Sequence, residues 1–244
     1  MEKDQNISFL EWHLESGVYA LLEEKPQNFL ASDQEKTIKL DKTADNQALN
    51  KPSIIYPKID DCNSLRDLKE AIFEFDGGNI KKSAKNIVFG AGKIRSKLML
   101  IGEAPGEEED NSGEPFVGAA GKLLDKMLNS IDIIRSETYI TNIIPWRPPG
   151  NRKPSLDEIE AFKPFIHKHI DLVNPMIIIL IGGTAASTIL ENDLGITKLR
   201  GKWHEYKGID VMPIYHPAYL LRQPSQKKQA WEDLLKIKKK ITSL

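Results

Sequence analysis

Residues 176–183, MIIILIGG, are an unbroken apolar run that stops at two glycines. A strand with one face in water alternates apolar and polar side chains. A run with no polar position has both faces covered, which is the pattern of a parallel sheet between helices. Working outward, residues 97–101 read as a second buried strand feeding a Gly-Pro-Gly loop, and 138–144 and 211–215 as two more. Residues 86–89 read as a further short strand. Helical periodicity falls between them: 64–75 with Ser64 as N-cap, 119–130, 155–173 opened by the capping box Ser155-Leu-Asp-Glu158, a helix from Thr184, and a basic helix at 226–241. Strands alternate with helices, so the expected fold is α/β: three layers, α/β/α, around a central, mostly parallel four-stranded sheet. Ligands of such sheets sit beyond the carboxyl ends of the strands, which nominates the loops at Gly102, Asn142, Gly182 and His216.

Composition narrows the function classes. The chain has 244 residues, 40% hydrophobic and 28% charged, as in an ordinary soluble globular protein. A chain this long buries roughly 70–75% of its unfolded surface and needs no disulfide or metal to fold. Cys62 is the only cysteine, which excludes an internal disulfide and any metal centre held by several thiolates. With no long apolar span and no basic, apolar leader in MEKDQNISF, the expectation is a cytoplasmic protein without a membrane partner. Charge is unevenly spread: residues 1–76 carry 9 basic against 16 acidic groups, residues 195–244 carry 11 against 4. The carboxyl-terminal part is the side expected to face a polyanion.

Three segments follow from this. Residues 1–24 contain an amphipathic helix (Phe9, Leu10, Leu14, Val18, Leu21 and Leu22 near helical spacing) that needs burial, on its own domain or on a partner. Residues 25–63 are polar and aperiodic, suited to a flexible linker. Residues 64–244 form the α/β domain.

Three of the nominated loops carry the candidate chemistry. In IGEAPGEEEDNSGEPFVGAAGKLL (101–124), Gly and Pro bring backbone close to a ligand and Phe116 offers a flat face. The alternative is a plain strand-to-helix turn with Phe116 in the core. The segment is no P-loop, because it lacks the Lys-Ser/Thr ending and its acidic cluster repels phosphate. In TNIIPWRPPGNRKP (141–154), Asn142 stands near the start of a strand and Asn151 in a turn; an amide reads a base edge by donating to one atom and accepting from the next, although Gly-Asn also favours turns for their own sake. In YHPAYLLRQP (215–224), His216 ends a strand, and Tyr219, Leu220, Leu221 and Arg222 follow. Apolar side chains beside Arg at a loop tip wedge base stacks and hold phosphates, whereas a lone His or a Leu pair is also ordinary core.

Taken together, GEAPG (102–106), EDNSGEPFVGAAGKLL (109–124), TN (141–142), RPPGNR (147–152), RGKW (200–203) and HPAYLLR (216–222) resemble the family 4 uracil-DNA glycosylases, in order and at matching separations over residues 64–240. The resemblance implies a monomeric base-excision repair enzyme whose partner is uracil-containing DNA, flipping the base into a pocket at the carboxyl edge of the sheet. It assigns uracil binding to Ala104, Phe116 and Asn142, and catalysis to Glu103, Asn151 and His216. Phe116 stacks on the base, Asn142 reads its polar edge, Glu103 faces the reacting sugar and water, and His216 stabilises negative charge on the departing base. A better-studied relative has an aspartate where Ala104 stands. DNA contacts fall to Arg147, Arg152, Arg200, Tyr219, Leu220 and Arg222, with Lys227 and Lys228 beside them. Relatives that become trapped on the abasic sugar carry a basic insertion after the second loop, and this chain has none.

One departure is visible. Many family members hold a four-iron cluster with four cysteines, at positions that match Phe75, Gly78, Trp146 and Phe162 here. The expectation is therefore an enzyme without metal or organic cofactor, the cluster replaced by apolar packing of Trp146 and Phe162. Two other classes stay open: a silent reader of uracil-containing DNA, and a nucleotide-using transferase built on the Gly-Pro-Gly loop.

Overall fold

The computed structural model describes residues 59–243, and within them the apolar runs lie where both faces of a sheet are covered. In chain order, α1 (Leu65–Glu74) and α2 (Gly78–Ser83) precede β1 (Ala91–Gly92) and β2 (Leu98–Gly102). Then come α3 (Glu107–Ser112), α4 (Ala119–Asn129), β3 (Tyr139–Asn142), α5 (Leu156–Val173), β4 (Ile177–Ile181), α6 (Gly183–Leu190) and α7 (Ile196–Leu199). The chain closes with β5 (His204–Tyr206), β6 (Ile209–Ile214), α8 (Pro217–Arg222) and α9 (Lys227–Thr242). The helix expected at 8–24 and the linker as far as residue 58 lie outside the described residues. Packing already begins at Ile59, with Cys62 buried in the core.

The sheet has six strands in the order β1-β3-β2-β4-β6-β5, which corrects the expected four. The four central strands are parallel; β1 and β5 are antiparallel additions at the two edges. Side-chain alternation explains the continuous apolar runs. Met99, Ile101, Ile178, Leu180 and Val211 pack on one side with α1, α5 and α6. Leu98, Leu100, Ile177, Ile179, Ile181, Met212 and Ile214 pack on the other with α4, α8 and α9.

Both edge strands escaped the sequence pattern. The expected strand at 86–89 is irregular chain, because its backbone donors go elsewhere: Lys85 and Asn86 N–H to Asp110 Oδ1, and Val88 N–H to Pro145 O. The paired residues are Ala91 and Gly92, opposite Ile140 and Tyr139. β5 is short and polar, but Lys207-Gly208 with positive φ at both residues makes the two-residue turn of a β-hairpin. Helices at Glu107–Ser112 and Pro217–Arg222 occupy stretches read from sequence as loops. The caps were legible: Ser64 accepts from Asp67 N–H, and Ser155 and Glu158 form their capping box. Among the described residues, no helix is long and apolar enough to cross a membrane.

Helix α9 is fastened by an ion pair. Arg200, between α7 and β5, donates from Nε to Asp233 Oδ2 at 2.7 Å and from a terminal nitrogen to Oδ1, and its guanidinium lies 5.1 Å from the centre of the Tyr215 ring. Burial pushes the Asp233 carboxyl above its ordinary range, and Arg200 opposes that shift. Removing Arg200 leaves a buried carboxylate without its partner. Arg200→Met is expected to destabilise the fold by about 3–5 kcal/mol, read as a lower denaturant midpoint; an unchanged midpoint would show that the pair does not hold the helix.

Candidate active site

The four parallel strands end side by side, and in spatial order their ends present Asn142 (β3), Gly102 (β2), Gly182 (β4) and His216 just past β6. Asn142 closes its strand and lies opposite Gly102, rather than near the strand's start. Gly102 is the point of closest approach. A Cβ there would stand 2.3 Å from Asn142 Oδ1 and 2.6 Å from Cζ of Phe116, so only glycine admits both side chains. Asn142 is 4% exposed, and its Oδ1 is buried without a hydrogen-bond partner. An unpaired buried acceptor costs roughly 1–3 kcal/mol, which a ligand donor would recover.

Phe116 is buried and holds a left-handed backbone, φ 53°. That conformation is unfavourable for an aromatic residue and persists only where the surroundings impose it. Glu109 does so. One carboxylate oxygen accepts from Val117 N–H and Gly118 N–H, both at 2.9 Å, and the other from Gly106 N–H at 3.0 Å, closing the loop on both sides of Phe116. Its neighbour Asp110, buried, holds the backbone of Lys85 and Asn86 and lies 3.9 Å from Arg147. From sequence this acidic cluster reads only as phosphate-repelling, and neither role is visible in that reading. The Gly106-to-Glu109 spacing, that of an N-cap and a reaching carboxylate at N3, was the available signal.

His216 caps α8, its Nδ1 accepting from Ala218 N–H at 3.1 Å. The proton of the neutral ring therefore sits on Nε2. Burial lowers its pKa to about 4, with the Arg222 charge adding to the shift and Glu109 opposing it. The imidazole is thus neutral near pH 7 and a hydrogen-bond donor. Its ring centre is 5.8 Å from that of Phe116. Gly182, at φ 94°, passes so close that an added Cβ would lie 3.3 Å from Cβ of His216.

Glu103, half-buried at the end of β2, accepts a hydrogen bond at Oε2 from the hydroxyl of Thr184, in the first turn of α6. Ala104 packs partly buried against the core. Phe116, Asn142 and His216 converge on the glycine-lined edge. Asn151 belongs to another set of contacts: exposed, with φ 56°, it accepts at Oδ1 from Arg147 Nε at 2.7 Å.

The residues expected to meet DNA divide by what holds them. Arg147 lies between Asn151, Glu107 and Asp110. Arg152 grips Glu158 with both terminal nitrogens, holding that carboxyl down at about 2. Arg200 is bound to Asp233. Tyr219 packs against Tyr215, ring centres 5.0 Å apart. Leu220 is 1% exposed and part of the core, so it cannot act as a wedge; the 45% exposed side chain is Leu221. Arg222, Lys227 and Lys228 are exposed beside it.

The positions matched to cluster cysteines do not fit a four-iron group. Phe75 and Phe162 meet edge to face with centroids 5.5 Å apart, and Phe165 lies 5.0 Å from Phe75. Trp146 is buried and 6.4 Å from the Phe73 ring. Lys81 Nζ sits over the Phe73 and Trp146 rings and donates to the carbonyls of Phe73 and Phe75. Aromatic carbon fills this region, and none of its side chains is a thiolate. Among the described residues, no group of three or more His, Cys, Asp or Glu could hold a metal ion.

A fully buried histidine elsewhere in the core adds to the electrostatics. His169 pairs with the Tyr139 hydroxyl at 2.9 Å and stacks on Phe89, and burial lowers its pKa to about 3. Both His216 and His169 refuse protons that the unfolded chain accepts below pH 6.5, so stability falls with pH from there. Between pH 7 and pH 5 the loss is expected to be roughly 1–2 kcal/mol per buried histidine. Urea midpoints across that range should drop, and drop less in His169→Gln; a flat profile would contradict neutral buried rings.

Comparison with known proteins identifies the family. The family model described as the Uracil DNA glycosylase superfamily matches residues 89–235. The chain is 41% identical over 185 residues to the type-4 uracil-DNA glycosylase of Sulfurisphaera tokodaii, covering 72% of this chain and 84% of that protein. It is 38% identical over 182 residues to the type-4 uracil-DNA glycosylase of Archaeoglobus fulgidus (71% and 92% covered), and 37% identical over 182 residues to that of Thermotoga maritima (70% and 95%). Matches of this extent, spanning the loops that build the site, place the chain in one family: it belongs to the uracil-DNA glycosylase superfamily, with the type-4 enzymes.

Proposed function

We propose that this chain hydrolyses the N-glycosidic bond of uracil in DNA, leaving an abasic site in base-excision repair. The observation that carries the reading is the unpartnered Asn142 Oδ1, pinned against Gly102 beside the Phe116 ring. Uracil offers a donor at N3, and its O4 accepts; the Asn142 amide matches both. Cytosine reverses that pattern and leaves buried groups unpaired, so it is rejected. Phe116 stacks on the flipped base.

Cleavage breaks the bond between C1′ and N1, the electron pair leaving with the base and water adding to C1′. The transition state pairs a cationic sugar with an anionic base. His216, neutral with its proton on Nε2, donates to the base oxygen where charge gathers, and Glu103 supplies negative charge near the sugar. Ala104 flanks the base, and Asn151 assists the hydrolytic step once released from Arg147. Leu221 takes the place of the flipped base, with Arg222, Lys227 and Lys228 on phosphates and Tyr219 supporting the tip. A phosphate competes with carboxylates for Arg147 and Arg152, while Arg200 serves mainly the fold. The enzyme is monomeric and cytoplasmic, uses water as its only co-substrate, and replaces the iron-sulfur cluster by the Phe75, Phe162, Trp146 and Lys81 packing.

The test is purified protein in EDTA with a labelled oligonucleotide carrying one uracil, then alkali to cut abasic sites, with thymine and hypoxanthine strands in parallel and iron measured on the same batch. Uracil-dependent cutting by iron-free protein is expected. A uracil-specific gel shift without cutting would make the chain a reader instead, and cutting that tracks bound iron would overturn the packing reading. In the same assay Gly102→Ala, whose methyl would displace Asn142 and Phe116, is expected to lower the single-turnover rate about 100-fold.

A further inference from the structure

The turn after β4 touches both Glu103 and His216. Gly182 leaves room for the His216 ring, and Thr184, two residues on, donates its hydroxyl hydrogen to Glu103 Oε2. The strand order puts β4 between β2, which leads directly into Glu103, and β6, which leads through Tyr215 into His216. The two groups therefore follow the strands that flank β4 and share one support between them. A glutamate has three rotatable side-chain bonds, and at a strand end nothing in its own backbone fixes where its carboxylate points. Thr184 is β-branched and sits in the first turn of α6, whose packing through buried Ala185, Ala186 and Ile189 holds it against the sheet. Its hydroxyl is thus a stiff anchor for a flexible acid. One carboxylate oxygen is engaged by Thr184, and the other is left to meet the sugar or the water. The first turn of a helix also carries partial positive charge, which favours an anion held there.

We propose that Thr184 is a positioning residue for the Glu103 carboxylate, fixing its plane so that a single oxygen addresses the reacting sugar. Thr184 acts only through Glu103, and the inference rests on the glycosylase reading above. Its loss slows the chemical step without weakening DNA binding, since the hydroxyl carries no charge of its own.

The test uses the full-length protein and four variants: Thr184→Val, which keeps the shape and removes the hydroxyl; Thr184→Ser, which keeps the hydroxyl; Glu103→Gln; and Thr184→Val with Glu103→Gln. Single-turnover excision of uracil, affinity for the uracil oligonucleotide and thermal midpoint are measured for each. The expected result is a fall of at least about tenfold in rate for Thr184→Val, with affinity and midpoint near those of the parent. Thr184→Ser recovers the rate to within about threefold, and the double variant is no slower than Glu103→Gln alone. Parental rate in Thr184→Val overturns the proposal, as do additive losses in the double variant. A Thr184→Ser as slow as Thr184→Val, with both midpoints lowered, also overturns it, because the role would then be packing. If Glu103→Gln cuts like the parent, the proposal falls with the assignment of Glu103. If the parent itself cuts nothing, it falls with the glycosylase reading, which separates the three failures.

Discussion

At the carboxyl end of β2 the chain carries a hydrogen where any other residue would carry a carbon, and two side chains from other segments close on that space. Asn142 arrives from β3 and Phe116 from the loop before α4, each nearer to the missing Cβ of Gly102 than non-bonded atoms allow. Their approach is possible only because no Cβ stands between them. Much of the surrounding architecture holds those two side chains in place: parallel pairing sets Asn142 opposite Gly102, and the Glu109 carboxylate gathers three backbone donors so that Phe116 keeps its strained backbone. Side chains held this way are fixed in advance, which is what electrostatic stabilisation of a short-lived charge requires.

Electrostatic placement follows the same economy of position. His216 is neutral because most of its ring is withdrawn from water, and its donor is on Nε2 because Nδ1 is already engaged by Ala218. Most arginines near the loops are tied to carboxylates of the chain itself, so they shape the rim as much as they charge it. The exposed cations gather instead where α8 passes into α9, beside Leu221. The uncommitted cations are thus set apart from the strand ends where Asn142, Phe116 and His216 meet.

The aromatic packing around Phe75, Phe162 and Trp146 has a structural consequence for the site. Trp146 lies in the segment between Asn142 and Asn151, so anchoring its ring anchors the loop that carries both amides. Thiolates bound to a cluster would tie the same segments by coordination bonds. Here the tie is dispersion and burial, helped by the Lys81 ammonium over two rings and on two helix-end carbonyls.

Sequence alone determined the central parallel sheet, the helix starts at Ser64 and Ser155, the four loops at the strand ends and the presence in them of Phe116, Asn142 and His216. These are local properties: an all-apolar run must be covered on both faces, and a capping side chain bonds within three residues. Tertiary structure alone decided the rest. It paired Ala91 and Gly92 instead of 86–89, turned Leu220 inward and Leu221 outward on a helix of six residues, and committed Arg200 to Asp233. It also gave Thr184 its partner. Each of these depends on which distant segment arrives at a given place, and a partner brought from 33 or 81 residues away leaves no periodic trace in the chain that meets it.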